Sequence, residues 1–458
     1  GMYRGTGNMG FLDSMFQSKP QEFVMGVQDK FGQEGTRDLV VVGKVAGTVR
    51  KGDAVYVSNF GDDSGEVLVS MVLGIESSAD QPANSITDSR AALKIAGAAG
   101  TGVKCGTVVY TREASITKVH DAYVRALADV FARDPESFFQ ADASAALSIT
   151  DCAELLGFSN RQLAENKVTD ETMKQYLHGF SNRMAHMLAS RVQQASGIWC
   201  VFSRRTGEPY LFAHIEEQGS DYRCTSPTVT LLSKPYHEVL ARRYPPEQFE
   251  VREISAGENG KGVLDFLGDT IYLDGANCVS VNAPAAVLPA GILVAPPDFS
   301  KVPEISRPVM NPDLERWLLL MAQLGKPETP EQQQTYKVYF SFLERALYSS
   351  KRQVPMKHEG EIAPPDAQGR TVLPEDLKIS LATMTGKNGR SAVRMFTDWK
   401  RLKAGMGEGW EGMIQTVGGL IAQFDCALNY TKDPNSGCYI SKELYEAMPQ
   451  PDAGPSKS

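Results

Sequence analysis

Thr397 and Asp398 stand at the end of the apolar run Ala392-Val393-Arg394-Met395-Phe396 and directly before Trp399. At a strand end, such a pair can cap the free amides of a following helix or face a ligand. Capping is the primary expectation, because Asp and Thr oxygens commonly satisfy those amides. Cys278 and Cys438 are the next candidates. A cysteine becomes a nucleophile when a cation, a helix N-terminus or a histidine lowers its pKa. No histidine lies in Asn277-Cys278-Val279-Ser280-Val281 or in Gly437-Cys438-Tyr439-Ile440-Ser441. Buried, structural thiols are therefore expected at both places.

Metal chemistry has little support. The six histidines are His120, His178, His186, His214, His237 and His358. His178 and His186 share a helical face but sit two turns apart, too far for the one-turn pairing of a helical zinc motif. HExxH is absent, and no CxxC occurs among Cys105, Cys152, Cys200, Cys224, Cys278, Cys426 and Cys438. With an odd cysteine count, a long chain and no export signal, reduced thiols are expected. No metal and no other cofactor is expected. The phosphate-binding pattern GxxxxGK[ST] is missing, so no GTP binding is expected either. Asn166-Lys167-Val168-Thr169-Asp170 has one residue too many before its aspartate to serve as a guanine-reading motif.

The stretch Ile149 to Arg161 has the Ala, Leu-Gly and Ser order of a helix-turn-helix, with Asn160 to Lys167 as its reading segment. Residues 151–175 hold five acids and three bases, a poor match to phosphate. An ordinary helical hairpin over 150–167 is the reading. The net charge of −8 also opposes a dedicated nucleic-acid binder. Met2 to Phe16 shows no signal peptide, and Gly1 before it is read as a leftover of tag cleavage. No apolar run reaches the roughly 20 residues needed to span a bilayer.

Several kinds of element must position these residues. Residues 2–20 read as a loose arm. Leu39–Val45, Ala54–Val57, Val67–Ile75, Ala91–Ile95 and Thr107–Tyr110 are short β runs separated by glycines, the pattern of a sandwich or barrel. Gly47 and Gly52 flank a turn that needs positive φ, with Asp53 capping nearby amides. Val41, Val45, Val55, Val57, Leu73, Ile75 and Leu93 are the expected interior. Helical periodicity follows, with Val119, Tyr123, Leu127, Val130 and Phe131 on one face and a stop at Asp134-Pro135. Met173, Tyr176, Leu177, Phe180, Met184, Met187, Leu188 and Val192 form a second stripe. A Pro-rich linker from Ala295 to Pro312 separates two mixed α/β segments, and the tail from Pro449 reads as disordered.

Those two segments share features in the same order. Trp199-Cys200-Val201-Phe202 matches Gln353-Val354-Pro355-Met356, Thr228 to Pro235 matches Ala392 to Trp399, and Cys278 matches Cys438. A long amphipathic helix precedes each copy. The coincidences point to duplication, with Val229 and Val393 interior and Lys234 and Asp398 at one topological corner. Cysteines in unrelated elements would refute it.

Two family resemblances follow. Residues 24–110, above all Val41-Val42-Gly43-Lys44-Val45-Ala46-Gly47-Thr48-Val49-Arg50-Lys51-Gly52-Asp53, resemble the domain 2 β-barrel of translational GTPases of the elongation factor Tu type. In that family the barrel is a docking surface. Thr87-Asp88-Ser89 stands where the family has Gly-Asp. The C-terminal half resembles tandem N-terminal domains of the SseB, or enhanced serine sensitivity, family. The likeness lies in Phe340 to Tyr348 leading to Val354-Pro355, in Phe396-Thr397-Asp398 with Leu402, and in Leu428-Asn429 before Pro434 and Gly437. It implies an α+β fold and no agreed reaction. Thr397, Asp398 and Asn429 become the candidate binding residues.

The expected architecture is multidomain α+β: a small β-barrel (22–112), a helical connector (113–195) and two similar α+β modules (196–300 and 310–450). The expected function is a non-catalytic cytoplasmic binding or adaptor protein with a protein partner, RNA being disfavoured by the acidic charge. One alternative is an enzyme or accessory factor of sulfur- or serine-related amino-acid metabolism. The other is a DNA-binding regulator using the 150–167 hairpin. A cleft with convergent polar groups would favour the enzyme, and a basic hairpin face the regulator.

Overall fold

Six strands close on one another between Phe23 and Tyr110 in the computed structural model, which describes residues 21–449 apart from 257–261, 350–351, 360, 362, 365, 368–371, 417, 420–422 and 434–435. The expected arm at 2–20, nearly all of the tail and Pro434 lie outside the described residues. The strands are β1 (Phe23–Gly32), β2 (Leu39–Arg50), β3 (Ala54–Ser58), β4 (Val67–Ser77), β5 (Pro82–Ala83), β6 (Ser85–Thr87), β7 (Arg90–Ile95) and β8 (Val108–Tyr110). The ring runs β1-β8-β3-β4-β7-β2 and returns to β1, every pairing antiparallel. β5 and β6 are short additions on β4 and β2.

Alternation along these strands fills the barrel. Val41, Val45, Val55, Val57, Ile75 and Leu93 are buried as expected. Leu73 is not. The β4–β7 register slips between Val72 and Gly74, so Val72 takes the interior place and Leu73 turns partly outward. A one-residue slip exchanges faces because side chains alternate with period two. Gly47 and Gly52 both adopt φ +91°. The Asp53 carboxylate accepts from the Arg50 amide at 2.8 Å, closing the turn. Asp88 accepts from the Gly47 amide at 2.7 Å.

The chain divides into two compact units, one comprising the sequence up to Arg191 with Ser233–Leu240, the other Val192–Leu232 with Ala241 onward. In the first, α1 (Ile116–Arg133) packs on β1 and buries Val119, Tyr123, Leu127, Val130 and Phe131. Ser115 caps it, and it ends at Asp134-Pro135. Next come α2 (Ala141–Ala146), α3 (Ile149–Ala164), α4 (Glu171–Gln193) and α5 (Lys234–Val239). Asp151 is fully buried and holds several pieces together. It forms a capping box with Ser148, accepts from the Tyr123 hydroxyl at 2.6 Å and from Lys104 at 2.9 Å. Burial would lower the Lys104 pKa, but Asp151 and Asp62 raise it.

The hairpin expected over 150–167 is corrected. α3 runs without a break through Gly157, so Asn160 to Ala164 continue the same helix. The capping box starts one strong helix, and a single glycine inside it costs only about 1 kcal/mol. The chain reverses later, between Glu165 and Asp170. On α4, Leu177, Phe180, Met184, Leu188 and Val192 are buried, whereas Met173, in the first turn, is 48% exposed.

The second unit contains β9 (Gly197–Ser203), β10 (Leu211–Phe212), β11 (Ile215–Gln218), β12 (Asp221–Cys224), β13 (Thr228–Leu232), β14 (Phe249–Ser255), α6 (Val263–Tyr272), β15 (Cys278–Val281), β16 (Ala283–Pro289) and α7 (Ala290–Leu293). After the Pro-rich segment come α8 (Pro312–Leu324), α9 (Pro330–Ser349), β17 (Arg352–Glu359), β18 (Lys378–Leu381), β19 (Thr383–Thr385), β20 (Ser391–Met395), α10 (Trp399–Met406), β21 (Glu411–Gln415), β22 (Asp425–Leu428), β23 (Cys438–Ile440) and α11 (Lys442–Ala447). The mixed α+β architecture is as expected.

Several pairings recur in the two sheet regions, although β9 and β13 pair within one sheet while β17 and β20 lie in separate sheets. β9 pairs antiparallel with β14, and β17 with β21. β13 lies parallel to β15, and β20 to β22. β16 then pairs antiparallel with β15, and β23 with β22. Val229 and Val393 are both buried. The alignment through Cys278 and Cys438 is overturned, however. Cys278 opens the strand parallel to β13, whereas Cys438 opens the strand antiparallel to β22, so the two cysteines sit in different elements. The positions that correspond by pairing are Asn282 and Asn429. Both have left-handed φ, +66° and +58°. Their amides donate to Leu231 O at 2.9 Å and Met395 O at 2.8 Å.

Candidate functional site

Thr397, Asp398 and Asn429 come together at the C-terminal ends of the parallel strands β20 and β22, where such strands present residues to a crevice. Asp398 caps α10, accepting from the Arg401 amide at 3.0 Å, so the capping role expected from sequence is present. The Thr397 amide donates to Asn429 Oδ1 at 3.0 Å, and Asn429 Nδ2 donates to Thr397 Oγ1 at 3.1 Å. Left-handed backbone at Asn429 turns its side chain back onto the neighbouring strand end, a conformation asparagine tolerates well.

Sequence reasoning missed the two residues that complete this cluster. Glu315 enters from the first turn of α8. Its Oε2 accepts from Asn429 Nδ2 at 2.6 Å and from the Thr397 hydroxyl at 3.0 Å. Arg401 enters from α10, three residues after Asp398, donating to Asp398 Oδ2 at 3.1 Å and to Asp274 Oδ1. Its guanidinium also lies 3.4 Å from Glu315 Oε1 and 3.6 Å from Glu208. Asn311 fastens α8 to the same corner, donating to the Thr397 carbonyl at 2.7 Å. The one sequence signal was a glutamate within the apolar face of a helix, Leu314-Glu315-Arg316-Trp317-Leu318.

Thr397, Asp398, Glu315, Arg401 and Asp274 are all almost fully buried. Burial pushes the Glu315 carboxyl up to about 8; Arg401 pulls it down, while Asp398, Asp274 and Glu208 push it further up. Burial alone would lower the Arg401 value, but Glu315, Asp274, Asp398 and Glu208 raise it well above its ordinary range. Lys400, 3.2 Å from Glu208 and 3.4 Å from Asp274, is raised by the same carboxylates against its own burial.

A stability prediction follows from Glu315. Its folded pKa, about 8, lies above its ordinary 4.5, so the folded state holds the proton more tightly than the unfolded chain. Stability from this group is fully present below about 4.5 and declines as pH rises to about 8, beyond which the loss is complete. Unfolding free energies from urea titrations between pH 5 and 8.5 should fall by an amount on the order of a few kcal/mol. In Glu315→Gln most of that slope should vanish; an unchanged slope would show that Glu315 does not titrate there.

Glu315, Arg401 and Asn429 also wall a cavity of about 570 Å³. Leu318, Leu319, Tyr336 and Phe340 supply its apolar lining, and Thr431 and Ser436 add hydroxyls. Cys438 lines it too, but burial pushes its thiol up to about 11, so it is protonated at neutral pH. Cys278, whose pKa burial also raises, is not among the lining residues. Among the described residues no group of three or more His, Cys, Asp or Glu side chains could hold a metal ion. A second cavity, about 580 Å³, lies between the barrel and α1. Its charges face one another: Lys118 meets Glu22 at 2.9 Å, and Lys44 meets Asp129 at 3.9 Å. Among the described residues no helix is long and apolar enough to cross a membrane.

No protein-family model and no curated protein matches the chain. Solved structures do. Translation elongation factor SelB from Methanococcus maripaludis, in its apo form and with the GTP analogue GPPNHP, matches at 19% identity over 20% of this chain and 19% of its own, with a TM-score of 0.18. Sup35 complexed with GDP matches at 23% identity over 24% of this chain and 26% of its own, with a TM-score of 0.17. The chain thus spans about a fifth to a quarter of the length of these structures.

Proposed function

We propose that the chain is a non-catalytic binding protein whose ligand occupies the cavity walled by Glu315, Arg401 and Asn429. One observation carries this reading: the polar groups at the cavity wall are bonded mainly to one another, as a preformed frame, beside an apolar lining. Preformed cavities with a few placed polar groups are the usual form of small-molecule sites. The barrel is the surface we assign to a protein partner, by its resemblance to a docking domain, and an intracellular setting suits the seven free cysteines. The likeness to the SseB family adds no reaction.

One feature favours a second reading as an enzyme. A carboxyl that titrates near neutrality at a cavity wall has the pKa of a general acid or base. Turnover lost in Glu315→Gln with ligand affinity retained would establish it.

The binding reading is tested by native mass spectrometry after incubation with a small-molecule extract of cells. Wild type should carry a small-molecule adduct that folded Ala322→Trp, with an indole filling the cavity, does not. An adduct equally abundant in both variants, or absent from both, would overturn the site.

A further inference from the structure

We propose that this cavity takes a small monocationic amine with an apolar arm, its ammonium seated on the Glu315 carboxylate. The proposal rests on reading the cavity as a ligand site and adds the chemical class of the ligand.

The argument begins with a charge count around Glu315. The corner of β20 and α10 brings Asp398, Lys400 and Arg401. The segment after β9 brings Arg205 and Glu208, and the chain after α6 brings Asp274. Lys326, after α8, and Asp433, beyond β22, stand at the cavity wall. With Glu315 ionised, these described residues carry five carboxylates and four cations, one positive charge too few. The imbalance is sharper inside: Glu315, Asp398 and Asp274 are buried, and Arg401 is the buried cation among these four. Asp274 Oδ2, moreover, has no hydrogen-bond partner. In the empty cavity a proton on Glu315 makes up the deficit. A bound monocation can replace it, the proton leaving to solvent as the ammonium takes its place.

The surroundings select an ammonium. Glu315 Oε2 already accepts two hydrogen bonds and Oε1 already faces the Arg401 guanidinium at 3.4 Å, which leaves room on Oε1 for one further donor rather than the several oxygens a metal ion needs. An anion would deepen the deficit. Tyr336 and Phe340 line the cavity with rings whose centroids are 6.5 Å apart and whose planes are within 9° of parallel; aromatic faces attract a cation and pack against an apolar arm. Leu318 and Leu319 extend that apolar surface.

The test is calorimetric titration at pH 7 with benzylamine, benzyl alcohol and benzoate, each in two buffers of different ionisation enthalpy. Benzylamine should bind roughly tenfold tighter than benzyl alcohol, the size expected of a hydrogen bond to a charged group. Its binding should release a proton, and benzoate should bind weakest. Folded Glu315→Gln should lose both the preference and the proton release while still binding the alcohol. If alcohol or benzoate binds as well as the amine, without proton release, the ammonium assignment fails and the cavity stands as a ligand site. If none of the three binds wild type, the ligand site fails with it.

Discussion

Arg401→Met is expected to destabilise the second unit by about 3–5 kcal/mol, the usual cost of removing one partner from a buried ion cluster. The guanidinium answers Asp398, Asp274 and Glu315 at once, and none of these carboxyls has solvent to fall back on. Methionine keeps the length and apolar stem but leaves buried carboxylates uncompensated. Protonating Glu315, whose carboxyl burial raises to about 8, relieves one of them, so the loss should be smaller at pH 6 than at pH 9. All four tryptophans, Trp199, Trp317, Trp399 and Trp410, fall within the second unit, so their fluorescence in urea reports this unit. The double variant Glu315→Gln/Arg401→Met should recover part of the loss, because neighbours in one network are not additive. A single-variant midpoint within error of wild type would mean that the cluster is solvated and that the cavity wall has been misread.

In the barrel, Gly43→Ala should cost about 3 kcal/mol, at the upper end of ordinary overpacking. A Cβ at Gly43 would sit 2.1 Å from the Gly26 carbonyl oxygen, a backbone atom that cannot rotate away. Strand β1 cannot retreat, because a Cβ position on Gly26 itself lies 2.2 Å from the Ala122 carbonyl of α1. The two glycines thus let β2, β1 and α1 stack closely. Gly52→Ala is the control. Its site is open, so only the left-handed backbone is penalised, about 1 kcal/mol. Hydrogen exchange at the amides of Val41, Val45 and Leu93 reads the difference. Equal protection in the two variants would show that β1 shifts freely and that the stack is not tight.

Much of the barrel could be read in the sequence because its signals are local. Apolar alternation, Gly47, Gly52 and Asp53 each specify backbone within a few residues, and each took the expected conformation. Leu73 failed because a bulge is set by cross-strand fit, which alternation does not encode. Gly157 misled for a related reason. A Leu-Gly pair permits a turn, but the capping box that starts at Ser148 fixed one helix through it. In the second unit the Thr397–Asp398 corner was visible as a strand end. Glu315 and Arg401 were not, since most of their partners lie about 80 or more residues away. The cysteine alignment shows the limit of matching residues by type. Cys278 and Cys438 share identity and a flanking apolar pattern but not an element, whereas Asn282 and Asn429 share left-handed backbone and a hydrogen bond to the neighbouring strand.

The closed ring of the barrel decides how it can be recognised. With β1 bonded to both β8 and β2, no strand of the ring offers a free row of amides and carbonyls. Among the described residues, only the two- and three-residue strands β5 and β6 keep an open side, too short a row for a partner to extend by adding its own strand, the route open to sheets with long bare edges. Whatever meets this barrel must read side chains on its outer face. Its specificity is therefore open to surface substitution while the ring beneath keeps its hydrogen bonds.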